Sequence, residues 1–292
     1  TSKIISEYAN KYSKIIPVSA QTKPDGWMGK NWACMEGYKK ATGELLLFTD
    51  ADTKHSQKVI SLAVSHLLSF NLDALSAIPK MRVMDFWTRI TLPMISTFLH
   101  TRFSAIRVND PSKKTAYFFG SFFIIRQKTY QAVGMHVGVK NEIIEDGALG
   151  KKVKEMGHHM KIVRGDHLIE AIWARDKSTL WNALKRLMIP LYLQSEKIAV
   201  GCFLAVLFLL FMPFPILAYS ILSTLKTTSI SVLFALSLVT SIMIYIGAII
   251  EVKKLLQLRL IDALFAPIGS LVVVLGFLSG LLDAKNSTVS WR

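Results

Sequence analysis

The chain has 292 residues, a formal net charge of +15 and a hydrophobic fraction of 51%. This apolar content, with a positive mean hydropathy, excludes an ordinary soluble domain. The basic charge suits anionic lipid head groups and phosphorylated substrates, whereas the absence of a nucleic-acid recognition motif argues against nucleic acid as a partner. The two cysteines, Cys34 and Cys202, lie in an apparent helix and an apolar stretch, so they predict neither a disulfide framework nor thiol catalysis.

Helical and strand patterns alternate over residues 1–175, which predicts an α/β domain with a mostly parallel sheet and flanking helices. The predicted elements, in chain order, are a helix over 3–12, a strand over 15–19, a loop over 23–30, a helix over 31–41, a strand ending at Asp50, a helix over 58–70 and a strand over 74–79. The turn signals of residues 23–30 include Pro24 and Gly26.

Lys30 ends the loop sequence Trp27-Met28-Gly29-Lys30. Gly29 would let the backbone approach a ligand closely, and Lys30 would offer a positive charge to a phosphate. Taken alone, the segment is equally typical of a surface loop that is anchored by its tryptophan.

Asp50 and Asp52 follow a short apolar run, Leu45 to Phe48, that predicts a buried strand. Open α/β sheets bind ligands at the carboxyl ends of their strands. Two neighbouring carboxylates repel each other unless a cation or strong donors lie between them, and Mg²⁺ binds one or two carboxylates together with phosphate oxygens. The pair therefore indicates a metal and diphosphate site, although Asp is also common in solvated turns at strand ends.

Glu145 and Asp146 precede a predicted helix start at Gly147. Acidic residues at that position favour the helix dipole, so plain capping is one interpretation. The other is a general base, because a carboxylate near a hydroxyl can accept its proton as the hydroxyl attacks.

Two apolar segments in the first two thirds of the chain carry basic residues among large side chains. Residues 84–108 predict a helix pair that lies either in the membrane interface or in an ordinary packed core. Residues 176–197 predict an interfacial amphipathic helix, because they lead directly into the first long apolar stretch.

The C-terminal region, residues 198–292, contains three stretches without a charged residue: 198–225, 227–250 and 263–282. Each is long enough to cross the hydrocarbon core, so we expect three transmembrane helices at about 198–222, 228–250 and 263–282. Buried helices of a large soluble core are the alternative. Pro213 and Pro215 predict a kink in the first span.

The basic residues near these stretches predict an orientation. Lys185, Arg186 and Lys197 precede the first span, Lys253, Lys254 and Arg259 lie between the second and third, and Lys226 alone lies between the first two. We therefore expect a multi-pass protein of the cell membrane whose N-terminal domain is cytoplasmic.

The motifs occur in an order that resembles family 2 glycosyltransferases, most closely the membrane-bound branch that includes hopanoid- and carotenoid-associated glycosyltransferases. The segments that carry the resemblance are Trp27-Met28-Gly29-Lys30, Leu47-Phe48-Thr49-Asp50-Ala51-Asp52, Gly120-Ser121-Phe122-Phe123-Ile124-Ile125-Arg126 and Ile144-Glu145-Asp146-x-x-Leu149-Gly150. The similarity runs over nearly the whole chain, including its apolar spans.

The resemblance implies a GT-A fold, a nucleotide-sugar donor (a UDP- or GDP-sugar), a divalent metal (Mg²⁺ or Mn²⁺), a lipid or lipid-linked acceptor and hexosyltransferase-type inverting transfer. It also implies roles by position. Asp52 would bind the metal and diphosphate, Asp50 the ribose or metal, Lys30 and Trp27 would border the donor site, Gly120 and Ser121 would line the sugar or acceptor pocket, Asp146 would be the base, and Glu145 would orient the acceptor or the base.

Two departures from the family pattern are visible. The family's first strands and their early acidic motif are absent, so we expect an N-terminally truncated domain with an incomplete nucleoside pocket that need not be active alone. The Gln-x-x-Arg-Trp motif of processive polysaccharide synthases is also absent, which favours a single transfer.

Three other function classes remain as alternatives: a processive polysaccharide synthase, a membrane scaffold with a decayed transferase domain, and a transporter. A transporter would need polar residues inside its spans, and these are nearly absent. The transferase hypothesis requires Asp50 and Asp146 to converge on one cleft above the bilayer.

Overall fold

The computed structural model describes residues 2–227 and 231–285, and the chain divides into two compact units. The first, which we call the sheet unit, comprises residues 1–79 and 105–169. The second, which we call the helical unit, comprises residues 80–104 and 170–292.

Helices and short strands alternate along the first half of the chain, and helices dominate the second half. Through residue 126 the elements are α1 (Ser2–Lys11), α2 (Gly29–Tyr38), β1 (Leu45–Phe48), β2 (Lys54–His55), α3 (Val59–Ser69), β3 (Ala74–Ile78), β4 (Lys80–Arg82), α4 (Phe86–Phe103), α5 (Ala105–Asn109) and β5 (Phe123–Arg126). Then follow α6 (Gln127–Ala132), a 3₁₀ turn (Val137–Val139), α7 (Glu145–Glu155), β6 (Met160–Arg164), β7 (Ile169–Ile172), α8 (Lys177–Gln194), α9 (Glu196–Val206), a π turn (Leu207–Phe211), α10 (Pro213–Thr227), α11 (Val232–Ile250), a π turn (Glu251–Leu255), a 3₁₀ turn (Leu260–Phe265) and α12 (Ala266–Lys285).

The sheet unit is built on a four-stranded sheet in the order β1-β5-β3-β6. Strand β5 is antiparallel to both β1 and β3, whereas β3 and β6 are parallel. Three of the four strands therefore run in the same direction and β5 runs against them. The α/β class with flanking helices is confirmed, and the sheet is mixed.

Both faces of this sheet are buried, because alternate residues of each strand point to opposite sides. Phe123 and Ile125 of β5 join one apolar cluster, which also holds Leu149 of α7. Ile124 joins a second cluster with Leu67 of α3. Burial on both faces explains why the strands read as continuous apolar runs.

Most predicted elements of the sheet unit are present near their predicted bounds, and one is not. The strand predicted over 15–19 is wrong: these residues form no strand, and Ile15, Ile16 and Val18 are exposed. Helix α1 is present but buries none of its residues. An apolar pattern alone was therefore insufficient, because a strand also needs a neighbour that accepts its backbone hydrogen bonds.

The helical unit is held together by close helix contacts at small residues. A Cβ atom placed on Gly276 of α12 would lie 2.7 Å from the Cβ of Leu184 on α8, and one on Gly280 would lie 2.8 Å from the carbonyl oxygen of Lys185. Small residues let helix backbones approach where no polar groups drive association.

Helix α8 corresponds to the predicted interfacial helix. Asp176 caps it by accepting the backbone N–H of Thr179 at 2.8 Å, and the Thr179 hydroxyl accepts the backbone N–H of Asp176 in return. Its apolar residues Leu180, Leu184 and Met188 are fully buried in the core of the helical unit. That apolar face is therefore occupied by other helices of its own unit.

The division into units differs from the predicted one, which placed residues 1–175 in a single domain. Residues 80–104 group with the helical unit, because Met94 and Ile95 of α4 belong to its apolar core. This part of the segment is therefore packed against other helices of its own unit.

Two continuous helical segments of the described residues are long and apolar enough to cross a membrane, Val232–Leu255 and Leu260–Lys285. Glu196–Phe211 and Pro213–Lys226 would make a third span together, but the chain bends there by 44°. The predicted kink at Pro213 therefore coincides with the bend. The predicted second span began at 228, and residues 228–230 lie outside the described part of the chain.

We expect Gly276→Ala to lower the free energy of unfolding of the helical unit by about 1–3 kcal/mol, because the added methyl overlaps the Leu184 side chain. Thermal unfolding of the detergent-purified protein measures this change. Gly201→Ala is the matched control: no atom lies within 4 Å of its added methyl, and the better helix propensity of alanine should leave stability equal or higher. Equal midpoints for wild type and Gly276→Ala would contradict the close approach.

Candidate functional site

Asp50 is positioned by the pairing of β1 with β5. In that antiparallel ladder Phe48 faces Phe123, so the residues after β1 run beside the residues that precede β5, which include Gly120 and Ser121. The Thr49 hydroxyl donates to the carbonyl oxygen of Ser121 at 2.8 Å and ties the two segments together beyond the ladder.

Lys30 is positioned by the residues on either side of it. Asn31 is buried, and its side-chain amide donates to the carbonyl oxygens of Val139 at 2.7 Å and Glu142 at 3.0 Å. The backbone N–H of Met28 donates to the carbonyl oxygen of Lys140 at 2.7 Å. The first turn of α2 is thus fixed against the segment that leads into α7, where Glu145 lies.

Glu145 and Asp146 form the first turn of α7, and two glycines let this helix lie close to the chain before Gly120. A Cβ on Gly147 would lie 2.8 Å from the ring of Tyr117, and one on Gly150 would lie 2.9 Å from the backbone nitrogen of Phe118. Larger residues at these positions would push the acidic turn away.

Four charged side chains converge around Gly120. The Lys30 amine lies 2.7 Å from Asp50 Oδ1 and 2.7 Å from Glu145 Oε1. The backbone N–H of Gly120 donates to Asp146 Oδ2 at 2.6 Å. A Cβ on Gly120 would lie 2.8 Å from Asp146 Oδ2, 3.2 Å from Lys30 Nζ and 3.3 Å from Asp50 Oδ2, so these three side chains surround the space that a Cβ would take, which we call the gap. Glu145 joins them through its contact with Lys30. We call Lys30, Asp50, Glu145 and Asp146 the acidic cluster.

The charges of the acidic cluster shift its pKa values. Burial, and then the charge of Glu145, raise the pKa of Asp146 to about 7, although Lys30 and the backbone N–H groups of Gly147 and Gly120 oppose the rise. Burial of the Lys30 amine opposes its protonation, but Glu145, Asp146 and Asp50 outweigh it and raise the pKa of Lys30. Lys30 therefore stays charged, and Asp146 is the carboxyl that exchanges a proton near neutral pH.

Two other ionisable groups close to Lys30 are unsuited to proton transfer. Burial, together with the charge of Lys30, lowers the pKa of His136 to about 4, and its Nδ1 is engaged by the hydroxyl of Tyr130. Burial raises the pKa of the Cys34 thiol to about 11, so it is not a thiolate nucleophile at neutral pH. Asp146 is the better base candidate among these groups.

The donor set fits a hard divalent ion that is completed by substrate oxygens. Asp50 is partly exposed and Asp52 is exposed, and both offer carboxylate oxygens. No group of three or more His, Cys, Asp or Glu side chains arranged to hold a metal occurs in the described ranges 2–227 and 231–285. A metal here would thus rely on phosphate oxygens as well as on the two carboxylates, as Mg²⁺ commonly does.

The remaining predicted site residues lie around the acidic cluster with different contacts. The ring of half-buried Trp27 packs edge-on against Trp32 at 5.2 Å between centroids. Asp52 lies in the exposed turn after Asp50. Ser121 is buried, and its hydroxyl has no hydrogen-bond partner among residues 2–227 and 231–285.

Asn31 and Thr49, which fix the positions of Lys30 and Asp50, were not predicted as site residues. In the sequence, each is distinguished only by adjoining a predicted site residue. The partners that show their role lie 108 and 72 positions away in the chain, so no local pattern reveals them.

Comparison with known proteins identifies a family for the N-terminal part of the chain. The sequence model described as "Glycosyl transferase family 2" matches residues 1–134, which include Lys30, Asp50 and Gly120. A comparison with curated proteins gives no match. Residues 1–134 therefore carry a glycosyl transferase family 2 domain.

Proposed function

We propose that this protein is a membrane-anchored, metal-dependent, inverting glycosyltransferase that moves a sugar from a nucleotide-sugar donor to a lipid or lipid-linked acceptor. The observation that carries the proposal is the acidic cluster, in which a carboxyl with a pKa near 7, a permanently charged amine and a partly exposed carboxylate border one gap at Gly120. Family membership supports glycosyl transfer in general.

Asp146 is the proposed base. Two backbone N–H groups, of Gly120 and Gly147, hold its two oxygens, so the carboxylate is fixed in direction before a substrate arrives. It accepts the proton of the acceptor hydroxyl while that oxygen bonds to the anomeric carbon. The bond from that carbon to the diphosphate oxygen breaks, and the nucleoside diphosphate leaves from the opposite face. This single displacement inverts the anomeric configuration.

Lys30 is the proposed partner of the donor diphosphate, with Trp27 beside it. The amine bridges Asp50 and Glu145 and offsets the repulsion between these carboxylates. Glu145 also holds Lys30 at the edge of the gap and contributes to the raised pKa of Asp146. Gly120 leaves space for the sugar, and the unpartnered hydroxyl of Ser121 lies next to it in the chain.

Asp52 and Asp50 would hold the divalent ion. When bound, Mg²⁺ or Mn²⁺ would neutralise the charge that develops on the departing diphosphate. Two observations support a divalent ion at this site. Asp50 and Asp52 offer hard oxygen donors at the end of β1, and the acidic cluster contains three carboxyl groups but one amine.

The lipid acceptor is proposed from the rest of the chain. The same polypeptide carries two helices able to cross a membrane and a bent pair that could form a third span, and an apolar acceptor is met most readily at a membrane. The basic residues that flank these helices favour a cytoplasmic sheet unit. The similarity to hopanoid- and carotenoid-associated enzymes is consistent with such an acceptor.

The experiment that tests this proposal uses membranes that contain the full-length protein and a panel of UDP- and GDP-sugars. Lipid products are read by mass spectrometry, with and without a chelator. A new glycolipid that requires the protein and a divalent ion would support the proposal. A polymer of many sugars would favour a processive synthase instead. If nucleotide sugars neither bind nor react, the chain is better described as a scaffold with a decayed transferase domain.

We expect Asp146→Asn to reduce transfer by at least about 10²-fold, because general-base catalysis typically contributes 10²–10⁴-fold. Nucleotide-sugar binding should persist, since the amide keeps the shape of the carboxyl. Asp52→Ala should instead weaken the metal-dependent binding of the donor. Initial rates and calorimetric donor titrations separate the two effects. Glu155→Gln, on the same helix but exposed, is the control. Wild-type transfer by Asp146→Asn would remove the base assignment.

The pH dependence should report the raised pKa of Asp146. Because the base must be deprotonated, kcat/KM for the donor should rise with pH and level off above about 7. A nucleotide sugar has no ionisation near this pH, so donor affinity measured at pH 6 and pH 8 should stay similar. A profile that is flat between pH 5.5 and 8 would exclude Asp146 as a base with this pKa.

Gly120→Ala should reduce transfer strongly, by about tenfold or more, because the added methyl lies 2.8 Å from the Asp146 carboxylate and displaces the acidic cluster. Thermal unfolding shows whether the variant remains folded, so that a loss of transfer is attributed to the site. Gly37→Ala on α2 is the matched control, because no atom lies within 4 Å of its added methyl. Full activity of Gly120→Ala would show that the gap is not where the sugar binds.

A further inference from the structure

A second polar cluster lies inside the helical unit, on α4 and the π turn that continues α11. The Ser96 hydroxyl donates to Glu251 Oε2 at 2.6 Å, and Nδ1 of His100 lies 3.1 Å from Glu251 Oε1. Ser96 and Glu251 are buried. We call these three residues the Ser–His–Glu cluster.

A buried carboxylate at this position requires an explanation. Glu251 lies within Val232–Leu255, one of the two helices able to cross a membrane. Ionisable residues in such segments are costly, and they commonly serve a function. Both oxygens of this carboxylate are hydrogen-bonded, so the cluster is internally satisfied on the Glu251 side.

His100 has one ring nitrogen that the other two residues of the cluster do not contact. Because the Glu251 carboxylate accepts, the proton of this contact lies on Nδ1, and the other ring nitrogen, Nε2, remains for another partner. Nε2 makes no hydrogen bond to any side chain that the structure describes, and about 31% of the His100 side chain is exposed. A contact that only joined helices would have no need for an accessible second nitrogen.

An apolar cavity of about 250 Å³ adjoins the cluster. It is lined by Met94 and Thr97 of α4, Leu209 and Leu210 of the first π turn, and Thr240, Met243, Ile244 and Gly247 of α11. Thr97 precedes His100 by three positions and Gly247 precedes Glu251 by four. His100 and Glu251 therefore lie about one helical turn from these lining residues, each on its own helix, and Ser96 lies between Met94 and Thr97 of the cavity lining.

That end of α11 is basic. Lys253 and Lys254 follow Glu251 closely and are exposed. Lysines at the end of an apolar helix mark the membrane surface, where they attract anionic head groups. Going along α11 toward this end, the cavity-lining residues come first. Glu251, which contacts the imidazole of His100 on α4, and the two lysines follow.

We propose that the cavity and the Ser–His–Glu cluster form a binding site for one anionic phospholipid of the bilayer. A hydrocarbon chain occupies the cavity. In the lipid-bound form His100 is an imidazolium, so that Nδ1 donates to Glu251 while Nε2 donates to a phosphate oxygen. Glu251 holds this ring in position and balances its charge. Lys253 and Lys254 favour an anionic head group over a zwitterionic one. The site is independent of the transfer reaction proposed above.

The test uses the full-length protein, reconstituted in nanodiscs with equal amounts of phosphatidylglycerol and phosphatidylcholine. After extraction into detergent, native mass spectrometry counts the retained lipids. Wild type should retain one phosphatidylglycerol in preference to phosphatidylcholine. His100→Ala should lower phospholipid retention about tenfold, the loss expected for one charge-assisted hydrogen bond to the phosphate that both lipids carry. Thr240→Phe, which fills the cavity from its exposed side, should lower retention of both lipids.

Val239→Phe is the matched control, because it adds the same ring to the neighbouring exposed position of α11, outside the cavity lining. It should retain lipid like wild type. Thermal unfolding shows whether His100→Ala folds. If it does not, His100→Gln is used in its place. Unchanged retention by a folded His100 variant and by Thr240→Phe would overturn the proposal and leave the cluster as a helix contact. Equal retention of both lipids by wild type would overturn it as well.

Discussion

The repulsion between carboxylates is the constraint on which the site depends. Asp50, Glu145 and Asp146 come from two separate parts of the chain and lie close together around Lys30 and Gly120, an arrangement that is unfavourable without a cation. Lys30 supplies that cation and contacts two of the three carboxylates directly. The third, Asp146, is held by backbone N–H groups, and its pKa rises. The carboxyl groups therefore differ in role: Asp146 is suited to accept a proton, and Asp50 and Glu145 pair with Lys30.

This arrangement also suggests how a metal and a diphosphate would depend on each other. Asp50 is engaged by Lys30, so a divalent ion that arrived alone would have to displace an amine from one of its ligands. A diphosphate offers Lys30 an alternative partner and at the same time supplies oxygens to the metal. We therefore expect the divalent ion and the diphosphate to bind together more tightly than either binds alone, and Lys30 to couple the two binding events.

The sequence predicted the residues of the acidic cluster better than the contacts that position them. The short apolar run before Asp50 correctly indicated a strand, and the acidic pair correctly indicated a helix start. In contrast, the contacts of Asn31 with the segment before Glu145 join residues more than 100 positions apart, and no local pattern reports them. Helix α4 groups with the helical unit, whereas the sequence placed it in the N-terminal domain, for a similar reason: its apolar residues fit either environment, and no local pattern distinguishes them. The strand predicted over 15–19 was wrong because a strand depends on a neighbour, which periodicity does not reveal.

The helical unit satisfies polar groups by a different physical route from the sheet unit. In the sheet unit the acidic cluster is partly open, and solvent or substrate can complete its hydrogen bonds. In the helical unit Glu251 is nearly inaccessible, so its partners must be supplied by the protein, and Ser96 and His100 supply them from α4. Close packing at Gly276 and Gly280 leaves little room along α8 and α12, whereas α4 and α11 leave a cavity beside this polar contact. Cavities lined by apolar side chains lose dispersion contacts unless something fills them. A hydrocarbon chain restores those contacts, and an anionic head group at the basic end of α11 satisfies the free nitrogen of His100, so one amphiphile meets both needs.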